Sequence, residues 1–177
     1  MLSSYSREWS RTHKCGVLRG DNADEKVVLN GWVNRRRDLG NLIFIELRDR
    51  TGIIQVVCDP ARNADVVEKA KTLRTEFVVG VKGTVISRTD NINKDIPTGE
   101  IEIAADDIAI FNKAETTPFE IKDDTSANED LRLEYRYLDL RRPALQKNII
   151  LRHKAGLAMR NFLSEEGFLE VETPVLT

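Results

Sequence analysis

Three consecutive arginines, Arg35 to Arg37, and the nearby Phe44 are the residues whose types and spacing point most directly to chemistry. In an extended strand successive side chains point to opposite faces, so Phe44 shares a face with Glu46 and Arg48 and not with the apolar residues beside it. A guanidinium binds a phosphate or a base edge through two hydrogen bonds, and an exposed ring stacks on an unpaired base, which is worth roughly 1–3 kcal/mol per base. The pattern predicts a surface that binds single-stranded nucleic acid. The alternative is that a loop or a neighbouring strand covers Phe44.

The segments around these residues predict a small β-barrel. Apolar or alternating runs separated by turn sequences predict strands, and a helical period predicts one helix at 64–74. The predicted strands cover residues 27–33, 42–48, 53–58, 77–87 and 100–110. Five strands with a helix between the third and the fourth is the order of an OB-fold, whose second and third strands commonly bind oligonucleotides. We therefore expect a mainly β fold with the arginines and Phe44 at its binding face.

Changes in composition and the turn-forming residues divide the chain further. The predicted parts are a flexible or lightly docked arm at 1–14, the barrel at 15–111, a polar hinge at 112–130 and a second domain at 131–177. In the second domain a helix is predicted from Pro143 to about Glu165, with Gly167 just past its end. A strand then begins without a partner, so we expect the chain to be cut inside an α+β domain.

Composition excludes several function classes. The 27 Lys and Arg residues against 29 Asp and Glu residues leave a net charge of −2, so nucleic-acid binding has to come from a local patch and not from a general basic field. Two cysteines and two histidines without metal-ligand spacing make a zinc site unexpected, and Cys58 in its apolar strand is predicted to lie in the core. No apolar run has the length of a membrane span, and the first residues are too polar for a signal peptide. We expect a cytoplasmic protein without a membrane partner.

Five sequence blocks carry a resemblance to a known family. They are GWVNRRRD at 31–38, IFIELRDR at 43–50, TGEIE at 98–102, YRYLDLRR at 135–142 and GFLEVETP at 167–174. In this order they make the chain resemble the N-terminal part of the bacterial-type aspartyl-tRNA synthetases, class II enzymes whose subgroup also holds the asparaginyl and lysyl enzymes. The triple arginine and the YLDLRR string favour the aspartyl type over these two relatives.

The resemblance implies that the barrel is an anticodon-binding domain. The implied anticodon contacts are Arg35, Arg37, Phe44, Gln55 and Glu102. The ring would stack on the middle anticodon base, a uracil, the amide and the carboxylate would read base edges, and the arginines would contact bases and phosphates. An amide offers the donor and the acceptor that a uracil edge needs. The ordinary alternatives are that one or two of the arginines only pair with Asp38 and that the amide and the carboxylate only face solvent.

The last block resembles motif 1 of class II synthetases, a long helix and a strand that ends at a proline. The predicted helix has apolar residues on two sides, one stripe including Ile149, Met159 and Leu163 and the other including Leu151 and Phe162. The resemblance implies dimer contacts at Gly167, Phe168 and Pro174, although a helix buried in a monomer would show the same two stripes. Motifs 2 and 3 do not appear, so we expect no catalytic residue in this chain and no activity from it alone. ATP, magnesium, aspartate and the homodimer would belong to the full-length parent, which joins aspartate to tRNA.

The arginines of the YLDLRR string have a structural interpretation of their own. Since no glycine-rich loop accompanies Arg136, Arg141 and Arg142, we expect them to pair with Asp139 and Glu134 and not to bind phosphate.

Other functions stay open at this point. The barrel could be a generic single-strand-binding module, a fragment of an asparaginyl or lysyl enzyme, or a scaffold for protein interaction. The sequence also leaves open whether the parent charges asparagine tRNA, although Leu39 beside the arginines resembles the stricter type.

Overall fold

A computed structural model describes residues 5–89 and 92–173, and its first compact unit contains a closed barrel of five strands. The strands are β1 (Lys26–Leu39), β2 (Leu42–Asp49), β3 (Gly52–Cys58), β4 (Val78–Ser87) and β5 (Ile101–Asn112). Their order around the barrel is β1-β2-β3-β5-β4, and β4 closes on β1. Only the β3–β5 pair is parallel among these strand pairs. The predicted OB-fold with a helix between the third and fourth strands is therefore confirmed.

The barrel core is formed by the alternate residues of each strand. In β2, Ile43, Ile45 and Leu47 are at most 1% exposed, whereas the residues between them are half-buried. Fully burying such a side chain contributes about 1.5–3 kcal/mol, so this alternation fixes which face of β2 turns inward. Cys58 is also fully buried, as predicted, and burial raises the pKa of its thiol to about 12.

A β-bulge in β1 decides where the arginines point. Val33 lies opposite Leu47 and is buried, but the register then shifts so that Arg35 lies opposite Glu46 and Arg37 opposite Phe44. Without the bulge a period of two would place residues 35 and 37 on the same face as Val33, towards the core. The single extra residue turns them to the outer face of the barrel.

The helix between β3 and β4 runs from Ala64 to Lys71 and is shorter than the predicted 64–74. Asn63 caps its N-terminus by accepting a hydrogen bond from the Asp65 amide. At the other end the Arg36 guanidinium donates to the carbonyls of Ala70 and Lys71 in the last turn of the helix. Arg36 thus stabilises a helix terminus.

The N-terminal segment is packed on the barrel around Trp9. A first short helix, Tyr5–Glu8, precedes Trp9, which is 7% exposed and lies edge-on to Phe111 at 6.2 Å between ring centroids. The Lys82 ammonium lies 4.2 Å from the Trp9 ring centre, and a side chain at Gly80 would come within 2.8 Å of that ring. This part of the predicted arm is thus docked more closely than its aperiodic sequence indicates, because the Trp9 ring packs against Phe111, Lys82 and Gly80. The domain bounds themselves stay a prediction.

Asp49 ties the segment before the barrel to the β2–β3 turn. Its carboxylate accepts hydrogen bonds from the Cys15 amide at 2.9 Å and from the amide and hydroxyl of Thr51 at 2.7 and 2.6 Å. Burial opposes ionisation of Asp49, but these hydrogen bonds outweigh it and lower the pKa of the carboxyl.

The second compact unit spans residues 117–177 and contains three helices, Glu129–Glu134, Arg136–Asp139 and Pro143–Glu165. The last of these, Pro143–Glu165, is named the long helix below. It begins at the predicted proline and ends before Gly167, whose φ of +85° suits glycine. Both of its predicted ends are confirmed.

Asp139 anchors the short helices of this unit. It is completely buried and pairs with Arg136 at 2.6 Å and Arg142 at 2.7 Å. The predicted pairing of these two arginines with Asp139 is confirmed. A buried carboxylate requires such partners because an isolated charge is costly away from water.

The segment after the long helix differs from the predicted strand. Residues 168–173 have no regular secondary structure, since a strand needs a neighbour for its backbone hydrogen bonds. Phe168 is 64% exposed at the end of the helix. Pro174, the third residue of the predicted dimer contact, lies outside the described residues. In the part of the chain that is described, no helix is long and apolar enough to span a membrane.

Candidate nucleic-acid interface

The five residues predicted to contact nucleic acid lie in two adjacent rows across the outer face of the barrel. The first row runs from β1 to β5 and contains Arg37, Phe44, Val57 and Ala104. The second row contains Arg35, Glu46 and Gln55, and Glu102 is joined to Gln55 by a hydrogen bond. Directly opposed residues on one sheet face have Cβ atoms about 4.5–5.5 Å apart, so each row presents neighbouring side chains.

Phe44 is the aromatic residue of the first row. It is half-buried and faces away from the core, since Ile43 and Ile45 on either side of it point inward. Arg37 is its neighbour on β1 and Val57 its neighbour on β3. The ring thus lies between a guanidinium and an aliphatic side chain, with part of its surface accessible to a base.

The three arginines have three different environments. Arg35 is exposed, and within the described residues its guanidinium makes no hydrogen bond or ion pair. Arg36 points the other way, to the end of the helix Ala64–Lys71. Arg37 is paired with Glu46, with 3.3 Å between Nη2 and Oε1. None of the ion pairs found among the described residues joins an arginine of this cluster to Asp38. Instead, Arg35 faces solvent, Arg36 contacts the helix and Arg37 pairs with Glu46 on the outer face.

Gln55 and Glu102 are held together on the second row. Gln55 is 6% exposed, and its Nε2 donates to Glu102 Oε2 at 3.0 Å. Arg88, just after β4, places its Nε 3.4 Å from the same carboxylate oxygen. This bond uses one of the two N–H donors of the Gln55 amide, so the second N–H and the carbonyl oxygen are left for other hydrogen bonds. The structure therefore places neither residue as an ordinary solvent-facing side chain.

Sequence reasoning missed three residues that shape this face. Glu46 was visible in the alternation of β2, but its role as the partner of Arg37 was not. Asn34 and Arg88 carried no signal, because the first acts through the bulge and the second through a pairing that joins β4 to β5.

The face offers a ring, a free guanidinium, a paired guanidinium and a fixed amide within two rows. These are the groups that recognise unpaired bases: stacking on the ring, an ion pair with phosphate and hydrogen bonds to base edges. In the described part of the chain no group of three or more His, Cys, Asp or Glu side chains could hold a metal ion. The arrangement is suited to binding.

Comparison with known families matches both compact units. Residues 27–111 match the model of an OB-fold nucleic acid binding domain of the tRNA anticodon type, and residues 128–177 match the model of tRNA synthetases class II (D, K and N).

Curated relatives match almost the whole chain. An aspartate–tRNA ligase of Geobacillus kaustophilus is 54% identical over 168 residues, which are 94% of this chain and 28% of the relative. An aspartate–tRNA(Asp/Asn) ligase of Geobacillus sp. strain WCH70 is 53% identical over 96% of this chain and 29% of the relative. The chain thus spans less than a third of the length of these two relatives.

Among solved structures, the aspartyl tRNA synthetase of Entamoeba histolytica aligns with a TM-score of 0.85. The alignment covers 99% of this chain and 42% of the Entamoeba histolytica chain, at 21% sequence identity. At this identity the alignment supports the fold alone.

Proposed function

We infer the function of this chain from its family. The chain carries the OB-fold anticodon-binding domain of the aspartate–tRNA ligases, followed by the beginning of a class II synthetase domain. The function that we propose for the chain is binding of the anticodon loop of an aspartate tRNA. The observation that carries it is the pair of rows on the outer face, which brings an accessible ring, two arginines and a hydrogen-bonded amide together on β1, β2 and β3.

The proposal gives each residue of the face a role. Phe44 stacks on the middle anticodon base, and Arg37 beside it contacts the same base or its phosphate. Arg35, which is exposed, contacts a neighbouring phosphate. Gln55 and Glu102 read base edges through hydrogen bonds, and their mutual bond fixes which atoms face the RNA.

The test is binding of this chain to a 17-nucleotide anticodon stem-loop with the anticodon GUC, against the same hairpin with its middle base changed from U to A. At one fixed, near-physiological salt concentration we expect a preference for GUC of about tenfold, which corresponds to about 1.4 kcal/mol. Equal affinities would contradict sequence-specific reading. Absence of binding to both hairpins would contradict recognition by this chain itself.

A generic single-strand-binding module is the second candidate, favoured by the sequence tolerance of base stacking. Such a module would bind both hairpins equally and lose affinity steeply with salt. The net charge of −2 argues against it, because salt-sensitive general binding depends on many basic contacts.

For a whole ligase that contains this chain, we propose that it joins aspartate to tRNA in the cytoplasm with ATP and magnesium. The described residues contain no ligand set for magnesium, and no step of the reaction is assigned to them. One relative is named an aspartate–tRNA ligase and the other an aspartate–tRNA(Asp/Asn) ligase. We propose aspartate tRNA alone as the substrate.

We also propose that the long helix and Phe168 form a homodimer interface in that ligase. Large apolar side chains are exposed along the helix and after it, among them Ile149, Met159, Leu163 and Phe168. Contiguous exposed apolar surface of this kind marks an interaction site.

Met159→Glu should convert the ligase from dimer to monomer in sedimentation equilibrium, because the substitution places a charge in the apolar stripe. Lys154→Glu, on the opposite side of the same helix, changes charge in the same direction and should leave the dimer intact. A dimer that survives Met159→Glu would show that the interface lies elsewhere.

A further inference from the structure

A continuous line of polar side chains crosses the outer face from a buried ion pair to Arg37. At one end, Arg48 Nη2 donates to both carboxylate oxygens of Glu76 at 2.7 and 2.8 Å. Arg48 Nη1 donates to Asn34 Oδ1 at 2.8 Å, and Asn34 Nδ2 donates to Glu46 Oε2 at 3.0 Å. Glu46 Oε1 then faces Arg37 Nη2 at 3.3 Å.

Asn34 is the extra residue of the β1 bulge. The residues on either side of it, Val33 and Arg35, pair with consecutive residues of β2, which leaves Asn34 without a partner in the register. Both polar atoms of its amide are nevertheless bonded, the oxygen to a guanidinium and the nitrogen to a carboxylate. The charges on the two sides fix the direction of the amide, so the side chain fastens the bulge to β2.

Glu46 is held at both carboxylate oxygens. One oxygen accepts from Asn34 and the other lies against Arg37, while the side chain keeps 23% exposure against 39% for Arg37. Both carboxylate oxygens of Glu46 already have protein partners, so direct contact with RNA does not account for its place there. Its role in orienting Arg37 does account for this place. An arginine side chain that is held in position before binding loses less conformational freedom on binding.

We propose that Asn34 and Glu46 are positioning residues for nucleic-acid recognition: they hold Arg37 beside Phe44 in the orientation that contacts the bound base. The inference rests on the proposed function of the face and adds two residues that act through the arginine and not on the RNA: Glu46 contacts Arg37, and Asn34 holds Glu46.

A double-mutant cycle between Glu46 and Arg37 tests the proposal on the GUC stem-loop. Glu46→Ala is expected to weaken binding about fivefold and Arg37→Ala about tenfold, and the double variant is expected to bind no more weakly than Arg37→Ala alone. Asn34→Ala should behave like Glu46→Ala. Glu46→Gln keeps one acceptor oxygen but replaces the other with an N–H donor, so it should weaken binding by about two- to threefold, less than Glu46→Ala.

The control is Asp106→Asn, which disrupts an exposed ion pair with Arg62 (2.7 Å) on another side of the barrel. It should leave binding unchanged. A second readout is the preference for GUC over the hairpin with the changed middle base. This preference should fall with Glu46→Ala, which a loss of general stability would not produce.

The outcomes separate this inference from the proposed function. If Phe44→Ala weakens binding but Glu46→Ala leaves it unchanged or strengthens it for both hairpins, the face binds RNA and the positioning role is wrong. Independent, additive losses in the cycle also overturn it. If the unchanged chain does not prefer GUC, the proposed function fails and this inference fails with it. If Glu46→Ala lowers the melting temperature, Asn34→Ala and Glu46→Gln decide instead.

Discussion

Replacing Phe44 with alanine is expected to weaken binding of the GUC stem-loop by about thirtyfold, or about 2 kcal/mol, while the barrel stays folded. Stacking of a base on an aromatic side chain is worth roughly 1–3 kcal/mol, and Phe44 is the aromatic residue of the two rows. Its ring is half-buried on the outer face and does not belong to the core cluster. Titration with the hairpin and thermal melting of the same samples measure the two effects separately.

Two further variants sharpen this experiment. Phe44→Trp keeps a flat ring and should retain most of the affinity, whereas Val57→Ala, next to Phe44 in the same row, removes apolar area without a ring and should cost little binding. A core phenylalanine replaced by alanine typically loses about 3–5 kcal/mol of stability. A loss of that size for Phe44→Ala would show that Phe44 supports the barrel and would contradict the stacking role.

Replacing Glu76 with alanine is expected to lower the free energy of unfolding of the barrel by about 3–5 kcal/mol. The Glu76 and Arg48 side chains are 6% and 15% exposed, and two hydrogen bonds join them. Removing one partner leaves the other as an uncompensated, largely buried charge, which is the costly way to break an ion pair. Urea unfolding followed by circular dichroism measures the change.

The backbone at Glu76 allows a sharper comparison. Its φ of +66° lies in the left-handed region, which glycine adopts without the strain that a Cβ brings. Glu76→Gly loses the same ion pair as Glu76→Ala but relieves this strain, so it should be more stable than the alanine variant by about 1 kcal/mol.

Glu8→Ala is the control for this series. It removes an ion pair with Lys82 from an exposed carboxylate and should change stability by less than about 0.5 kcal/mol. Equal stability of the glycine and alanine variants would mean that the backbone at position 76 is not strained. A change below about 1 kcal/mol for Glu76→Ala would mean that the buried pair does not support the barrel.

Much of the fold could be predicted from the sequence because its signals are local. Alternation in β2 assigns Ile43, Ile45 and Leu47 to the core and Phe44 to the outer face, and the structure confirms both. Pro143 and Gly167 mark the ends of the long helix because one residue presets a helical φ and the other adopts a positive φ. Each of these signals lies within a few residues of the feature that it determines.

The candidate face could be predicted only in part. The sequence by itself determined that arginines, a ring, an amide and a carboxylate occur on strands of one barrel, because residue type and strand period are properties of the chain. Only the tertiary structure decided that Arg35 and Arg37 turn outward, that Arg36 caps a helix and that Gln55 bonds to Glu102. The reason is the register of strand pairing. One extra residue at Asn34 reverses which face of the barrel the following side chains of β1 point to. The parallel pairing of β3 with β5 joins residues that are far apart in the chain. Both depend on pairing between strands, which no local period contains.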